Sequence, residues 1–192
     1  MGQVMEPFNP TPYVQPKLPK KDWILDGCKD REPRVIRSLC MGEGELERKN
    51  IHLQEKYKRM KEKDVKYEIY FSDDAEILIV AFGIAARIAL SAVKMLRRER
   101  IKIGLFRPIT LFPFPEKELS MLAEENRTFV TVEMNTGQMV EDVRLAVNGK
   151  TEVHFYGRPG GTVLTPEEIC ENVKKLVSIH RSAFSSHRIQ LS

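Results

Sequence analysis

Three cysteines (Cys28, Cys40, Cys170) and four histidines (His52, His154, His180, His187) are the residues from which a metal site, a cluster or a nucleophile–base pair would be built. Their spacing builds none of these. No two cysteines form C-x-x-C, and the histidines are scattered, so the thiols read as free and reduced and the histidines as surface or packing residues. Asn148-Gly149-Lys150-Thr151 contains the GKT of a phosphate-binding loop. Arg144 stands where that loop needs its first glycine, and the segment leads into a strand instead of opening a helix. Gly83-Ile84-Ala85-Ala86 supplies one glycine of the three in a dinucleotide fingerprint, and Arg107 follows the next strand where an acidic ribose ligand belongs. We read no nicotinamide site.

What remains is a set of polar and glycine residues that an α/β topology would bring to one rim, where strands end and helices begin. They are Gly83; Arg107 and Thr110; Glu133, Asn135, Gly137 and Gln138; and Arg158, Gly160 and Gly161. Each also has a structural reading. The glycines make turns, Thr110 satisfies a loop backbone group, and Arg107 pairs with Glu133 on a neighbouring strand. Without a nucleophile–base pair, carboxylate dyad or metal set, the rim reads as an interaction surface on a rigid scaffold.

The elements that must position this rim are legible from periodicity. Ile77, Leu78, Ile79, Val80 and Phe82 form a near-continuous apolar run, the signature of a strand buried on both faces. Gly83 turns the chain, and a helix follows to about Glu99. Ile84, Ile88, Leu90 or Ala92, Met95 and Leu96 form its inward stripe, and Arg87, Lys94, Arg97 and Arg98 its outward one. Further strand–helix pairs follow: Ile101–Phe106 with Glu116–Glu125, where Pro115 fits the first helical position; Thr128–Val132 with Met139–Val147; and Glu152–Tyr156 with a helix from Thr165 to about His180. Asn148-Gly149 is a helix stop, and Thr165-Pro166-Glu167-Glu168 is a capping box. Lys66–Phe71 reads as a short edge strand.

Upstream, residues 1–20 carry Pro7, Pro10, Pro12, Pro16 and Pro19 and should be extended, without a core of their own. Trp23, Ile24 and Leu25 are an apolar anchor, and Arg34–Leu39 is expected as a short strand. Glu45–Asp64 is a charged helix with a thin stripe of Leu46, Leu53, Tyr57 and Met60. The chain thus divides into a proline-rich arm (1–44), an α/β domain (45–180) and a tail (181–192), with the tail expected to fray.

Composition narrows the function classes. A formal net charge of +4, with basic residues interspersed among acids and no aromatic-rich basic patch, argues against a nucleic-acid partner. The apolar stretch at 77–96 is broken by Gly83, Arg87 and Lys94, so no membrane partner is expected. Met1-Gly2 begins like a myristoylation site, but Glu6 stands where that motif wants Ser or Thr. A cytoplasmic location is expected.

GLFRPITLFPFPEKEL (104–119), VEMNTGQMVEDVRLAV (132–147), YGRPGG (156–161) and TPEEI (165–169) together resemble the alpha subunit of 2-oxoacid:ferredoxin oxidoreductases, in its transketolase C-terminal-like domain. The arm, with RVIRSL (34–39) and ELERKNIHLQEKYKRMKE (45–62), is most similar to the branched-chain, 2-oxoisovalerate (3-methyl-2-oxobutanoate) type. The resemblance implies a three-layer α/β/α sandwich on a mostly parallel five-stranded sheet with one antiparallel strand. It also implies oxidative decarboxylation of a branched-chain 2-oxoacid to an acyl-CoA, using thiamine diphosphate with magnesium, coenzyme A, and [4Fe–4S] clusters that pass electrons to ferredoxin.

No cofactor of that set and no family catalytic residue maps onto this sequence. The expected partners are therefore the beta, gamma and delta subunits and an upstream thiamine-binding domain, whose exit linker the arm resembles. This chain is expected to be an assembly piece without a catalytic centre of its own, probed by whether the isolated chain folds cooperatively yet turns over no 2-oxoacid. The alternative is a stand-alone α/β domain that binds a small ligand or nucleotide.

Overall fold

The computed structural model describes residue 10 and residues 12–21, 23–125 and 127–189, with the backbone alone for 179–189. The chain forms two compact units, one ending at Glu47 and one beginning at Arg48.

The second unit is built on β2 (Ile77–Val80), in which all four residues are buried. Its two faces feed different cores, as an unbroken apolar run requires. Ile79 joins Leu105, Val130 and Val132 on one face, and Leu78 and Val80 join Phe106 and Phe129 on the other. The strand order is β1 (Tyr67–Tyr70), β3 (Ile103–Pro108), β2, β4 (Thr128–Glu133), β5 (Val153–Gly157). The β1–β3 pair is antiparallel and every other pair is parallel. Helices α2 (Gly83–Arg98) and α5 (Pro166–Ile189) cover the first face; α3 (Glu116–Ala123) and α4 (Met139–Val147) cover the second. The result is a three-layer α/β/α sandwich. Among the described residues, no helix is long and apolar enough to cross a membrane.

Several expectations are corrected in detail. The buried face of α2 is Ala85, Ala86, Ala89, Ala92, Val93 and Leu96, whereas Ile84 is exposed. Small side chains let a helix lie close to a twisted sheet, so alanines fill most of the contact and Ile84 is left outside it. Arg97 is not on a solvated face. Its Nε donates to the Ile103 carbonyl at 2.6 Å, and its guanidinium donates to the Phe71 carbonyl at 2.7 Å and to Asp74 at 2.6 Å. That carboxylate is held below its usual pKa, chiefly by the Arg97 hydrogen bond.

β3 runs on through Arg107 and Pro108 because β1 pairs with both. Pro115 is the residue before α3 and not its first helical residue. Arg34–Leu39 is no strand: among the described residues no strand pairs with it, and it is exposed throughout. α5 continues to Ile189, past His180. The helix of the charged segment, α1 (Glu45–Lys63), buries no residue. Within the second unit, the Tyr57 ring meets Phe112 edge-on at 5.7 Å, and Lys61 lies 3.8 Å from Glu116. Of the proline-rich start, residues 1–9 and 11 lie outside the described residues, and residues 12–20 are exposed and without regular structure.

Candidate functional site

At the strand-end rim, α4 poses a problem of satisfaction. Its N-cap position holds Gln138, whose side chain makes no cap, although the first N–H groups of a helix need acceptors. Glu133, the last residue of β4 and fully buried, supplies them. One carboxylate oxygen accepts from Gln138 N–H at 2.9 Å and Met139 N–H at 3.0 Å, and the other accepts from Val140 N–H at 3.0 Å. The helix dipole favours a negative charge at this end, so the buried carboxylate is stabilised without a cation.

The loop between them is shaped for this reach. Asn135 Oδ1 accepts from Gly137 N–H at 2.7 Å, and Gly137 sits at φ +108°, a left-handed backbone. One consequence is felt nearby. Asp142, in the first turn of α4, is raised above its usual pKa by burial first, then by repulsion from Glu116, Glu133 and Glu141.

The next loop is tied to the same residue. Arg158 N–H donates to the Glu133 carbonyl at 3.1 Å, and the Arg158 guanidinium pairs closely with Glu168. Glu168 also accepts from Thr165 N–H at 3.1 Å, while Thr165 Oγ1 accepts from Glu168 N–H at 3.3 Å, completing the capping box at the start of α5. Gly160 and Gly161 lie in this loop in open space.

Arg107 and Thr110 belong elsewhere. β2 separates β3 from β4, so Arg107 does not meet Glu133. It pairs with Glu68 of β1 at 2.8 Å, and the Tyr70 hydroxyl donates to the same oxygen at 2.7 Å. The tyrosine hydrogen bond, with Arg107 adding to it, holds Glu68 below its usual pKa. Thr110 Oγ1 accepts from Lys66 N–H at 3.0 Å, closing the β1–β3 end. Gly83, at φ +56°, begins α2 with open space around it, and Phe82 offers that helix no side-chain cap.

Of the expected rim residues, the structure thus gathers Glu133, Asn135, Gly137, Gln138 and Arg158 around one buried carboxylate. It sets Arg107 and Thr110 against the edge strand. The polar partners that do the bonding, Glu68, Tyr70 and Glu168, are not among the residues expected from sequence. Neither was an exposed apolar set on the same rim: Ile84, Ile109, Leu111, Phe112, Met134 and Val163.

This arrangement offers little to a cofactor. The α4 donors that could cradle a diphosphate are taken by Glu133, and Lys150 of the GKT segment is bound to Ser120 and Glu124. Among the described residues, no group of three or more His, Cys, Asp or Glu side chains could hold a metal. Among the described residues, the α4 N-terminus therefore does not fit a diphosphate.

Comparison with known proteins agrees with the fold and the motifs. Residues 75–169 match the model of the pyruvate:ferredoxin oxidoreductase core domain II. The ketoisovalerate oxidoreductase subunit VorB of Methanothermobacter thermautotrophicus is 40% identical over 176 residues, 92% of this chain and 50% of that protein. Residues 75–169 belong to the pyruvate:ferredoxin oxidoreductase core domain II family. Another relative matches a shorter stretch: the 2-oxoglutarate synthase subunit KorA of Methanothermobacter marburgensis is 35% identical over 113 residues, 59% of this chain and 30% of that protein. In three dimensions, 78% of the chain superposes on 27% of a 2-oxoglutarate:ferredoxin oxidoreductase chain from Magnetococcus marinus, with a TM-score of 0.60 and 19% identity, a likeness of fold. The chain spans about half the length of the VorB subunits it matches.

Proposed function

We propose that this chain is the core-domain-II part of a ketoisovalerate-type 2-oxoacid:ferredoxin oxidoreductase and acts there as an assembly domain. In this reading the complete cytoplasmic enzyme decarboxylates a branched-chain 2-oxoacid oxidatively to an acyl-CoA and reduces ferredoxin. Thiamine diphosphate, magnesium, the [4Fe–4S] clusters and the coenzyme A site belong to polypeptide outside this chain. Residues 1–44 then serve as a connecting arm, and the beta, gamma and delta subunits are partners.

The observation that carries the reading is the 40% match to VorB, which extends over 92% of the chain, well beyond the core-domain-II match at 75–169. The rim supports it. Its charged side chains are paired within the chain, as Arg107 with Glu68 and Arg158 with Glu168, while apolar side chains such as Phe112 and Val163 face outward. Such a surface suits contact with another folded domain better than capture of a small charged ligand. Glu133 counts against the nucleotide-binding alternative, because it fills a helix N-terminus that a phosphate would need.

Reconstitution tests the proposal. The chain replaces its matching half of VorB in the oxidoreductase of Methanothermobacter thermautotrophicus, and 2-oxoisovalerate-dependent viologen reduction is measured. Activity restored by the hybrid, with none from the chain alone, is the expected result. A stably folded chain that restores nothing and binds a nucleotide by calorimetry overturns it.

A further inference from the structure

The first unit holds an apolar surface that none of its described residues covers. Its Trp23, Ile24 and Leu25 are 57%, 51% and 106% exposed, and Val35 and Ile36 are 77% and 96% exposed. Among the described residues from 10 to 41, none is buried. Exposure alone would describe a loose tail, but a local turn is built around the first three.

Arg31 donates to the Ile24 carbonyl at 2.5 Å and to Asp26 at 2.8 Å, and Asp26 also accepts from Cys28 N–H at 3.1 Å. Gly27, Cys28 and Asp30 all take left-handed backbone, at φ 68°, 61° and 58°. Non-glycine residues adopt that conformation uncommonly. Lys21 Nζ lies 5.1 Å from the centre of the Trp23 ring. The bonds hold a knuckle in shape, and the knuckle displays a tryptophan and two large aliphatic residues to solvent. Tryptophan is among the residues enriched at interface hot spots, and a turn held before binding loses less entropy on docking.

We infer that the Trp23-Ile24-Leu25 knuckle is a docking anchor, and that its occupant is an apolar pocket on the portion of the VorB-type polypeptide that this chain does not span. The inference rests on the proposed function. The VorB match covers 92% of this chain, and so most of the arm, but only half of VorB. In such a protein the arm is tethered to the remaining half. Tethering gives that half an effective concentration that a second, free copy of this chain does not reach.

The experiment titrates the full chain against the rest of the Methanothermobacter thermautotrophicus VorB polypeptide, the stretch matched here having been removed, by calorimetry. The wild-type chain binds at micromolar Kd or tighter. W23S/I24S/L25S weakens binding by about 30-fold or more, the scale of a lost hot spot. Arg31→Ala, which loosens the turn and keeps the triad, weakens it by a smaller factor. Because the triad is exposed and the Arg31 bonds lie within the first unit's turn, both variants keep the melting temperature of the α/β domain, so loss of binding is not loss of fold.

Three results overturn the inference. Wild-type binding that W23S/I24S/L25S leaves unchanged removes the knuckle while leaving the family function standing. Self-association abolished by the triple variant, without binding to the VorB portion, assigns the anchor to a second copy. Absence of any binding refutes the docking outright, and the reconstitution assay then judges the function separately.

Discussion

Replacing Glu133 tests whether one buried carboxylate holds the start of α4. Its two oxygens accept three backbone N–H groups, two of them in buried contacts. In Glu133→Gln, the amide oxygen can take the place that serves Gln138 and Met139, and its NH2 then faces the Val140 N–H, donor against donor. One charge-assisted bond is lost, worth about 1.5–3 kcal/mol. The favourable charge–dipole interaction, about 1 kcal/mol, is lost with it. Removing a buried charge returns part of this through its desolvation penalty.

A net cost of about 2 kcal/mol follows for the amide. Glu133→Ala strands two buried donors at about 1–3 kcal/mol each, about 4 kcal/mol together. For a chain of this size, thermal melting should fall by roughly 4–8 °C for Glu133→Gln and about twice that for Glu133→Ala. Hydrogen exchange adds a local readout, since the amides of Met139 and Val140 should lose protection before the rest of α4. A Glu133→Gln melting point within about 1 °C of wild type would refute the reasoning, since the bonds that it breaks are worth several times that shift.

Arg107→Ala should cost under about 1 kcal/mol, because its partner Glu68 is as exposed as Arg107 itself; a melting drop several-fold larger would mean that the pair is far more than a surface contact. Asp74 predicts a pH effect. Its folded-state pKa is lowered, so its contribution is present above the unfolded value of about 3.9 and is lost as pH falls through the folded one. Asp74→Asn should therefore melt below wild type at pH 7, with the gap closing as pH falls below the unfolded value and through the folded one, and a gap unchanged at low pH would discount the Arg97 contact. Gly104→Ala places a Cβ 2.7 Å from the Phe71 carbonyl and 2.9 Å from that of Tyr70. It should destabilise by about 1–3 kcal/mol and expose the β1 amides first in hydrogen exchange; uniform protection of β1 would contradict it.

The sandwich could be read from the sequence because its signals are strong and local. A four-residue apolar run, a glycine, then a helical period leave few alternatives for 77–98, and the Thr165–Glu168 box marks the α5 start by itself. The misreadings have physical causes. Arg34–Leu39 has strand composition, but a strand exists only with a partner, and among the described residues none is hydrogen-bonded to it. Ile84 looked inward because large apolar residues dominate a periodicity count, while contact distance to the sheet selected the alanines.

Around Glu133, the loop residues can be grouped from sequence, but their connection through one carboxylate cannot. One signal was available. Gln138 is a poor N-cap, so the donors of α4 had to be satisfied from a distance, and the buried-strand residue just upstream was the nearest acceptor. The Arg107 pairing could not be read without the strand order, which puts β2 between Arg107 and Glu133.

That order also governs how the domain can assemble while it is being made. β2 is the central strand, yet Ile77 pairs with Ile103 on one side and Thr128 on the other, both further along the chain. β1 likewise waits for β3 before it has any partner. A growing chain that has left the ribosome only as far as α3 carries β2 with one edge open and its Leu78 and Val80 face without α4. Unpaired apolar edges of this kind recruit other chains. The polypeptide is therefore committed late: the centre of the sheet closes only when Thr128–Glu133 emerges, and the same few residues deliver the carboxylate on which the next helix starts.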